Sequence, residues 1–296
     1  MDVERDRVLS TVSDRYTLVT NEEVFDLLRP VAQGFFGGGG LDDFECFNIH
    51  KPQSRASCRI DLTRKNPAAN LFALKGGDQW TPFIRMSNSY NRTSRLEIQI
   101  GYCRWICLNG VIFGNRSYAV ALKHDELWLG DPSFGKRIAR EALRALGGSA
   151  SAQKDFADSV ERLRELPMTW DQTEMLFWRV WGVQLPSGGF AGLPPRRRER
   201  LWTQRQRFAE LAESYREELS DTAYAAFNVL TDFASYPDGG QQHSVLTPSC
   251  QRKTGAWLSE ILPLAAAPDF SFEGYFTDQD RATLAEFKEA ERRVLF

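Results

Sequence analysis

Residues 95–113 read Arg95-Leu96-Glu97-Ile98-Gln99-Ile100-Gly101-Tyr102-Cys103-Arg104-Trp105-Ile106-Cys107-Leu108-Asn109-Gly110-Val111-Ile112-Phe113. Leu96, Ile98, Ile100 and Tyr102 alternate with Arg95, Glu97, Gln99 and Gly101, the period-two pattern of a strand with one apolar face. Asn109-Gly110 stands between Ile106-Cys107-Leu108 and Val111-Ile112-Phe113. Both central residues of a type I′ turn need positive φ, so this dipeptide predicts a two-residue hairpin and no further role. The alternation recurs in Cys58, Ile60 and Leu62 against Arg59, Asp61 and Thr63, and again in Tyr118, Val120 and Leu122. An antiparallel sheet with one wet face follows, on which Arg59, Arg95 and Arg85 would stand together. Arg104 is out of phase with Arg95, which requires either a bulge near Gly101 or a buried, paired guanidinium.

Working outward, Tyr16 to Val19 predicts a short strand. Thr20-Asn21-Glu22-Glu23 has capping-box spacing and opens a helix whose stripe is Val24, Leu27, Leu28 and Val31, ended by Gly37 to Gly40. Beyond Asp131-Pro132-Ser133 the chain reads as helical nearly to its end. Ile138, Ala142, Leu143 and Leu146 mark one helix; Phe156, Val160, Leu163 and Leu166 mark a second. Thr169 to Gln172 caps a third, carrying Met175, Leu176, Trp178 and Val180. Pro186 to Pro195 reads as an internal linker. Phe208, Leu211, Tyr215 and Leu219, then Tyr224, Phe227, Leu230 and Phe233, are core stripes on either side of a break at Ser220-Asp221. After a polar loop from Pro237 to Pro248, a short helix around Trp257 and Leu258 precedes a last amphipathic helix from Thr277 or Asp278. The architecture expected is α+β: residues 1–130 form a strand, a helix and an antiparallel basic sheet, and residues 131–296 a helical region packed on it, as one compact unit.

Charge is distributed unevenly. The 296 residues have a formal net charge of −2, yet residues 51–123 carry twelve Lys/Arg against three Asp/Glu, and residues 1–50 four against ten. Within the basic segment, Trp80, Phe83, Tyr90, Tyr102, Trp105, Phe113 and Tyr118 are interleaved with Arg85, Arg92, Arg95, Arg104 and Arg116, a mixture suited to a polyanion with stackable bases. The competing reading is a solvated sheet face beside acidic flanks. A second basic cluster, Arg196, Arg197, Arg198 and Arg200, opens a long helix, with Arg205 and Arg207 further on. Cations in a first turn oppose the helix macrodipole; their bland reading is a solvated face paired to Glu210, Glu213, Glu217 and Glu218.

Catalytic signatures are sparse. His50, His124 and His243 have no metal-ligand spacing, and no phosphate-binding glycine loop or nucleophile elbow occurs. Cys46, Cys58, Cys103, Cys107 and Cys250 form no C-x-x-C pair and read as buried thiols. Asp42-Asp43 with Glu45, and Asp278 with Asp280, are oxygen-rich but fit solvated loops or helix caps. Asn228, on an apolar stripe, reads as a buried amide fixing helix to sheet. No catalytic residue, metal or cofactor is assigned. The longest uncharged apolar run, near Leu262 to Ala267, is too short for a bilayer, and no signal-peptide pattern opens the chain, so a cytoplasmic protein without a membrane partner is expected.

Four segments, read in order, carry a resemblance. They are Tyr16-Thr17-Leu18-Val19-Thr20-Asn21-Glu22-Glu23-Val24-Phe25, Asn88-Ser89-Tyr90-Asn91 with Arg95, Arg104-Trp105-Ile106-Cys107-Leu108-Asn109-Gly110, and Phe227-Asn228-Val229-Leu230-Thr231-Asp232. Over roughly residues 15 to 235 the chain resembles the phage- and plasmid-associated family catalogued as domain of unknown function 932. It departs from that family's pattern at Tyr90-Asn91-Arg92-Thr93, where relatives tend to have an Asp-Gly-Ser-like turn. The resemblance implies a mobile-element setting and no activity. By analogy of charge and fold class, single-strand annealing proteins of such elements grip DNA in a basic sheet-and-helix groove of an oligomeric ring.

The expected function is therefore non-enzymatic binding of nucleic acid, single-stranded DNA foremost, by a protein capable of forming a homo-oligomer. Arg59, Arg85, Arg92, Arg95 and Arg116 would hold phosphates, with Tyr90 and Trp105 stacking bases and Arg196, Arg197, Arg198 and Arg200 as a secondary cluster. The alternatives are a metal-dependent enzyme on nucleic acid, using acids such as Asp42, Asp43 or Asp131, and an interaction protein that inhibits or recruits a host protein through its helices.

Overall fold

The computed structural model describes residues 16–36, 43–50, 56–65, 72–74, 77–91, 95–105, 109–112, 119–122, 149–237 and 246–295, together with residues 8, 11, 12, 14, 107, 140, 141 and 144. In chain order the elements are α1 (Asn21–Phe35), β1 (Phe44–His50), β2 (Ser57–Arg64), β3 (Phe72–Ala73), β4 (Gln79–Ser89), β5 (Leu96–Arg104), β6 (Gly110–Val111) and β7 (Ala119–Leu122). The helices α2 (Ser149–Glu165), α3 (Trp170–Trp181), α4 (Pro195–Leu219), α5 (Ala223–Ser235), α6 (Thr247–Ala265) and α7 (Asp278–Leu295) follow. The fold class is α+β. The strands form one antiparallel sheet in the order β1-β2-β4-β5-β6; β3 extends the β2 side of β4, and β7 shares the outer side of β5 with β6.

Register sorts the side chains. Leu62 faces Ile84 and Ile60 faces Met86 across β2 and β4, while Ile98 and Ile100 face Met86 and Ile84 across β4 and β5. This apolar face receives the helices. Trp80 meets Phe156 of α2 at 5.1 Å and Phe227 of α5 at 5.9 Å, and Tyr102 stacks on Phe156 at 4.5 Å. Each such pair contributes about 0.5–1.5 kcal/mol beyond its area burial. Helix α5 is the hub: every residue of it except Asp232 is buried, as its near-continuous apolar sequence requires. Around it, Phe177 of α3 touches Phe208 of α4 and Phe233 of α5, and Trp178 lies flat on Phe287 of α7 at 4.1 Å. Sheet and helices share one hydrophobic cluster from Val19 to Phe287.

Several local expectations change. Thr20 and Glu23 form the predicted capping box, and so do Thr169 and Gln172. Residues 16–20, however, form no strand; the segment is tied to the end of β4 through Tyr16 donating to the Ser89 carbonyl and Asn88 donating to that of Val19. The Asn109-Gly110 pair is not a turn. Gly110 already belongs to β6, opposite Cys103, the Arg104 amide donates to the Asn109 carbonyl, and neither Asn109 nor Gly110 has positive φ. The connection is thus longer than the two-residue turn predicted, and Asn109 is freed for another task. The 186–195 linker is anchored: Phe190 lies against Phe287, its amide donates to Glu286, and Leu193 is buried. The helix at Trp257 is longer than predicted, spanning Thr247–Ala265. Gly37 to Gly40, most of the helix predicted around 138–146 and the 130/131 boundary lie outside the described residues.

Gly101 has a steric reason. A Cβ there would stand 2.3 Å from the Phe83 ring and 2.7 Å from the Val111 carbonyl oxygen, so the glycine lets the opposing aromatic lie across the sheet.

Candidate nucleic-acid interface

The second face of the sheet, reached by Gln251 of α6, carries Arg59, Asp61, Thr63, Thr81, Phe83, Arg85 and Gln99, and all of them are buried. The expectation of a wet basic surface is corrected here. Asp61 and Arg85 are direct cross-strand partners, and alternation puts both on this face. Arg85 donates from Nε and Nη2 to the two Asp61 carboxylate oxygens, each at 2.6 Å, and from Nη1 to Gln251 Oε1 of α6 at 2.6 Å. Both ions are 1 % exposed, so the pair is a desolvated fork-to-fork contact closed to a phosphate. Arg59 is 3 % exposed; burial and the neighbouring Arg85 charge push its guanidinium down to about 10, against the pull of Asp61.

Of the remaining predicted contacts, Arg95, Tyr90 and Trp105 are described. Arg95 is exposed at the start of β5, whereas Arg92 and Arg116 lie outside the described residues. Tyr90 is half-buried; its phenol accepts from the Asn21 amide at 2.9 Å, and burial raises its pKa. Trp105 is half-buried, with its backbone amide on the Gln79 carbonyl. Among the described arginines of this set, Arg59 and Arg85 are buried and Arg95 is exposed, so these three do not share an open strip.

Arg104 takes the second of its two options. β4 and β5 pair without a register shift from Ser87–Glu97 to Trp80–Arg104, so no bulge corrects its phase. It sits at the end of the apolar face, donates to Asp78 at 2.8 Å and meets Glu218 of α4. Burial would lower the Arg104 pKa, but the bonds to Glu218 and Asp78 outweigh it and hold the group above its usual range. Asp78 also accepts from Arg164 of α2 at 3.0 Å and from Tyr224 of α5.

The four segments that carry the family resemblance meet in pairs. Asn21 and Val19 of the first are bonded to Tyr90 and Asn88 of the second. Asn109 of the third, fully buried, donates from Nδ2 to Asp232 of the fourth and to Tyr215 of α4, both at 3.0 Å. Arg207 donates to Asp232 and to the Tyr236 carbonyl. These motifs act as clasps between sheet and helices. Their pairing required the register and helix placement, which spacing alone does not encode. Asn109→Ala is expected to cost about 1–3 kcal/mol, the penalty for leaving buried partners unsatisfied, measured by urea unfolding; a surface turn would lose almost nothing. Asn228 corrects the expected helix-to-sheet bond, since its Nδ2 donates to the Tyr224 carbonyl within α5.

The second cluster behaves differently. Arg196, Arg197 and Arg200 are exposed and Arg198 is half-buried, in the first two turns of α4. None of the four has an ion-pair partner among the described residues; Arg197 reaches only the Gln184 carbonyl at 3.4 Å. The pairing proposed with the helix's own glutamates is absent for them, and Glu218 is engaged with Arg104. Arg205 and Arg207, in contrast, are held by Glu174 with Glu291 and by Asp232. With no acid in its first turn, α4 adds the positive end of its macrodipole to this charge.

Acidic and thiol candidates resolve into structure where described. Asp280 accepts from the Thr277 amide and hydroxyl at 2.8 Å as the cap partner of α7 and stands 3.5 Å from Arg179. Among the described residues no group of three His, Cys, Asp or Glu could hold a metal ion. Asp42, Asp131, His124, His243 and the side chains of Glu45, Cys46 and His50 lie outside them. Cys58 and Cys103 are buried, Cys107 and Cys250 half-buried; burial raises the Cys103 and Cys107 pKa values, which suits inert thiols. No described helix is long and apolar enough to cross a membrane.

No curated protein and no solved structure matches the chain. A family model does, over residues 8–241, spanning all four clasp-forming segments: the chain belongs to the family described as Domain of unknown function (DUF932).

Proposed function

We propose that this chain is a nucleic-acid-binding protein of a phage or plasmid whose polyanion contact is the start of α4, with single-stranded DNA as the foremost ligand. One observation carries the reading: Arg196, Arg197, Arg198 and Arg200 gather at a helix N-terminus with no carboxylate partner among the described residues. Four cations beside the positive end of a macrodipole repel one another and the helix, and each is worth a few tenths of a kcal/mol in lost stability. An external anion removes that repulsion. Phosphates spaced along a strand are the anion that four clustered guanidiniums match, whereas the sheet arginines Arg59 and Arg85 serve the fold. Arg95 remains an exposed auxiliary contact.

Contact with three or four phosphates of a single strand implies a fall in affinity of roughly 20- to 50-fold between 50 and 200 mM salt. Fluorescence anisotropy with a labelled oligonucleotide tests this. The R196E/R197E/R200E variant is expected to lose binding and flatten the salt dependence, while its melting temperature stays level or rises, because acids in a first turn favour the dipole. Unchanged affinity in that variant would overturn the interface.

A further inference from the structure

A cleft of about 450 Å³ opens between α3, α4 and α7, and its walls include the indoles of Trp170 and Trp202. We propose that it receives one unpaired base of the strand whose phosphates lie on the arginine cluster; the inference rests on that interface and adds a subsite for the base.

Position comes first. Trp202 stands four residues beyond Arg198 on α4, hence on the same helix face and about 6 Å farther along the axis. One nucleotide bridges that step from phosphate to base. Both tryptophans are half-buried and so present ring surface while being held in place. Trp202 is braced by the Phe190 ring at 6.4 Å and by the Arg205 guanidinium at 5.7 Å; Trp170 is braced by Phe208 at 5.9 Å and by Arg216 at 5.2 Å.

Charge then orients the ligand. Inside the cleft Arg205 is held between Glu174 at 2.7 Å and Glu291 at 3.0 Å, and Lys288 donates to both Asp171 oxygens. Three carboxylates against two cations leave the interior slightly negative. A phosphate is repelled from it and stays at the unpaired arginines outside. A neutral heterocycle is not repelled; it gains stacking, and its amino hydrogens find carboxylate acceptors. A duplex keeps its bases paired and cannot offer one, so the cleft selects single strands, and bases bearing amino groups over thymine.

The test measures binding of the full chain to a single-stranded oligonucleotide, to the duplex of the same length and to an abasic strand with the same phosphates. Trp202→Ala is expected to weaken single-strand binding about tenfold or more, with the salt slope, duplex binding and abasic binding unchanged; Trp202→Phe should recover most of the loss. Ala209→Phe, which plugs the cleft without removing a wall, should reproduce the loss should Trp202→Ala prove unstable. Equal losses on normal and abasic strands, or no loss while R196E/R197E/R200E still abolishes binding, would overturn the base slot and leave the phosphate interface standing. Absence of binding to any of the three ligands by the unmodified chain would overturn the interface itself.

Discussion

Asp61→Ala is expected to destabilise the protein by about 3–5 kcal/mol, because it strands the Arg85 guanidinium in a site 1 % exposed. The loss has two parts. Two hydrogen bonds of 2.6 Å disappear, and the cation that made them cannot reach water. Gln251 retains one contact but supplies no opposing charge. Arg59, buried beside Arg85, adds like-charge repulsion that Asp61 now offsets. Since folded domains are stable by only about 5–15 kcal/mol, the variant should unfold at markedly lower urea or accumulate as aggregate. Asp61→Leu combined with Arg85→Met removes both ions together and should recover most of the stability. A double-mutant cycle in urea checks this: a large coupling energy supports the buried pair, whereas two small additive effects would mean that the face is solvated and the arginines are open to a ligand.

Asp78→Ala is expected to cost a similar 3–5 kcal/mol by a different route. Asp78, 6 % exposed, gathers Arg104 from β5, Arg164 from α2 and the Tyr224 phenol from α5. Its loss leaves Arg104 with Glu218 and loosens two helices from the sheet at once. Asp78→Asn keeps one acceptor oxygen and should lose less. Hydrogen exchange separates the cases: in the alanine variant, amides of α2 and of the first turns of α5 should exchange faster, whereas a purely local role would leave them protected.

Much of the architecture was legible because its signals are local. The period-two runs at 58–63 and 95–102 mark strands, and Thr20 with Glu23 and Thr169 with Gln172 fix helix starts through bonds three residues apart. The burial of Arg59 and Arg85 was not legible. Alternation says which side chains share a face but not whether a second surface lies on that face, and the Asp61–Arg85 contact depends on how β2 aligns with β4. Asn109-Gly110 misled for a related reason. Turn propensity argued for a tip, but Tyr215 and Asp232, 106 and 123 residues away, offered the amide better partners. The arginine run at 196–200 was visible as a run; that its arginines find no carboxylate among the described residues depends on how the helices pack.

The bonds that tie the sheet's polar groups to the helices reach far along the chain: Arg104 to Glu218 spans 114 residues, Trp80 to Tyr224 spans 144, and Arg85 to Gln251 spans 166. Because a polypeptide leaves the ribosome N-terminus first, the strands are made well before the residues that complete them. Until then Arg85 and Arg104 have only the carboxylates of Asp61 and Asp78, 24 and 26 residues before them, and charge on an uncovered sheet disfavours edge-to-edge association. Completion of the sheet's second face therefore waits on some of the last residues made, Gln251 of α6 among them.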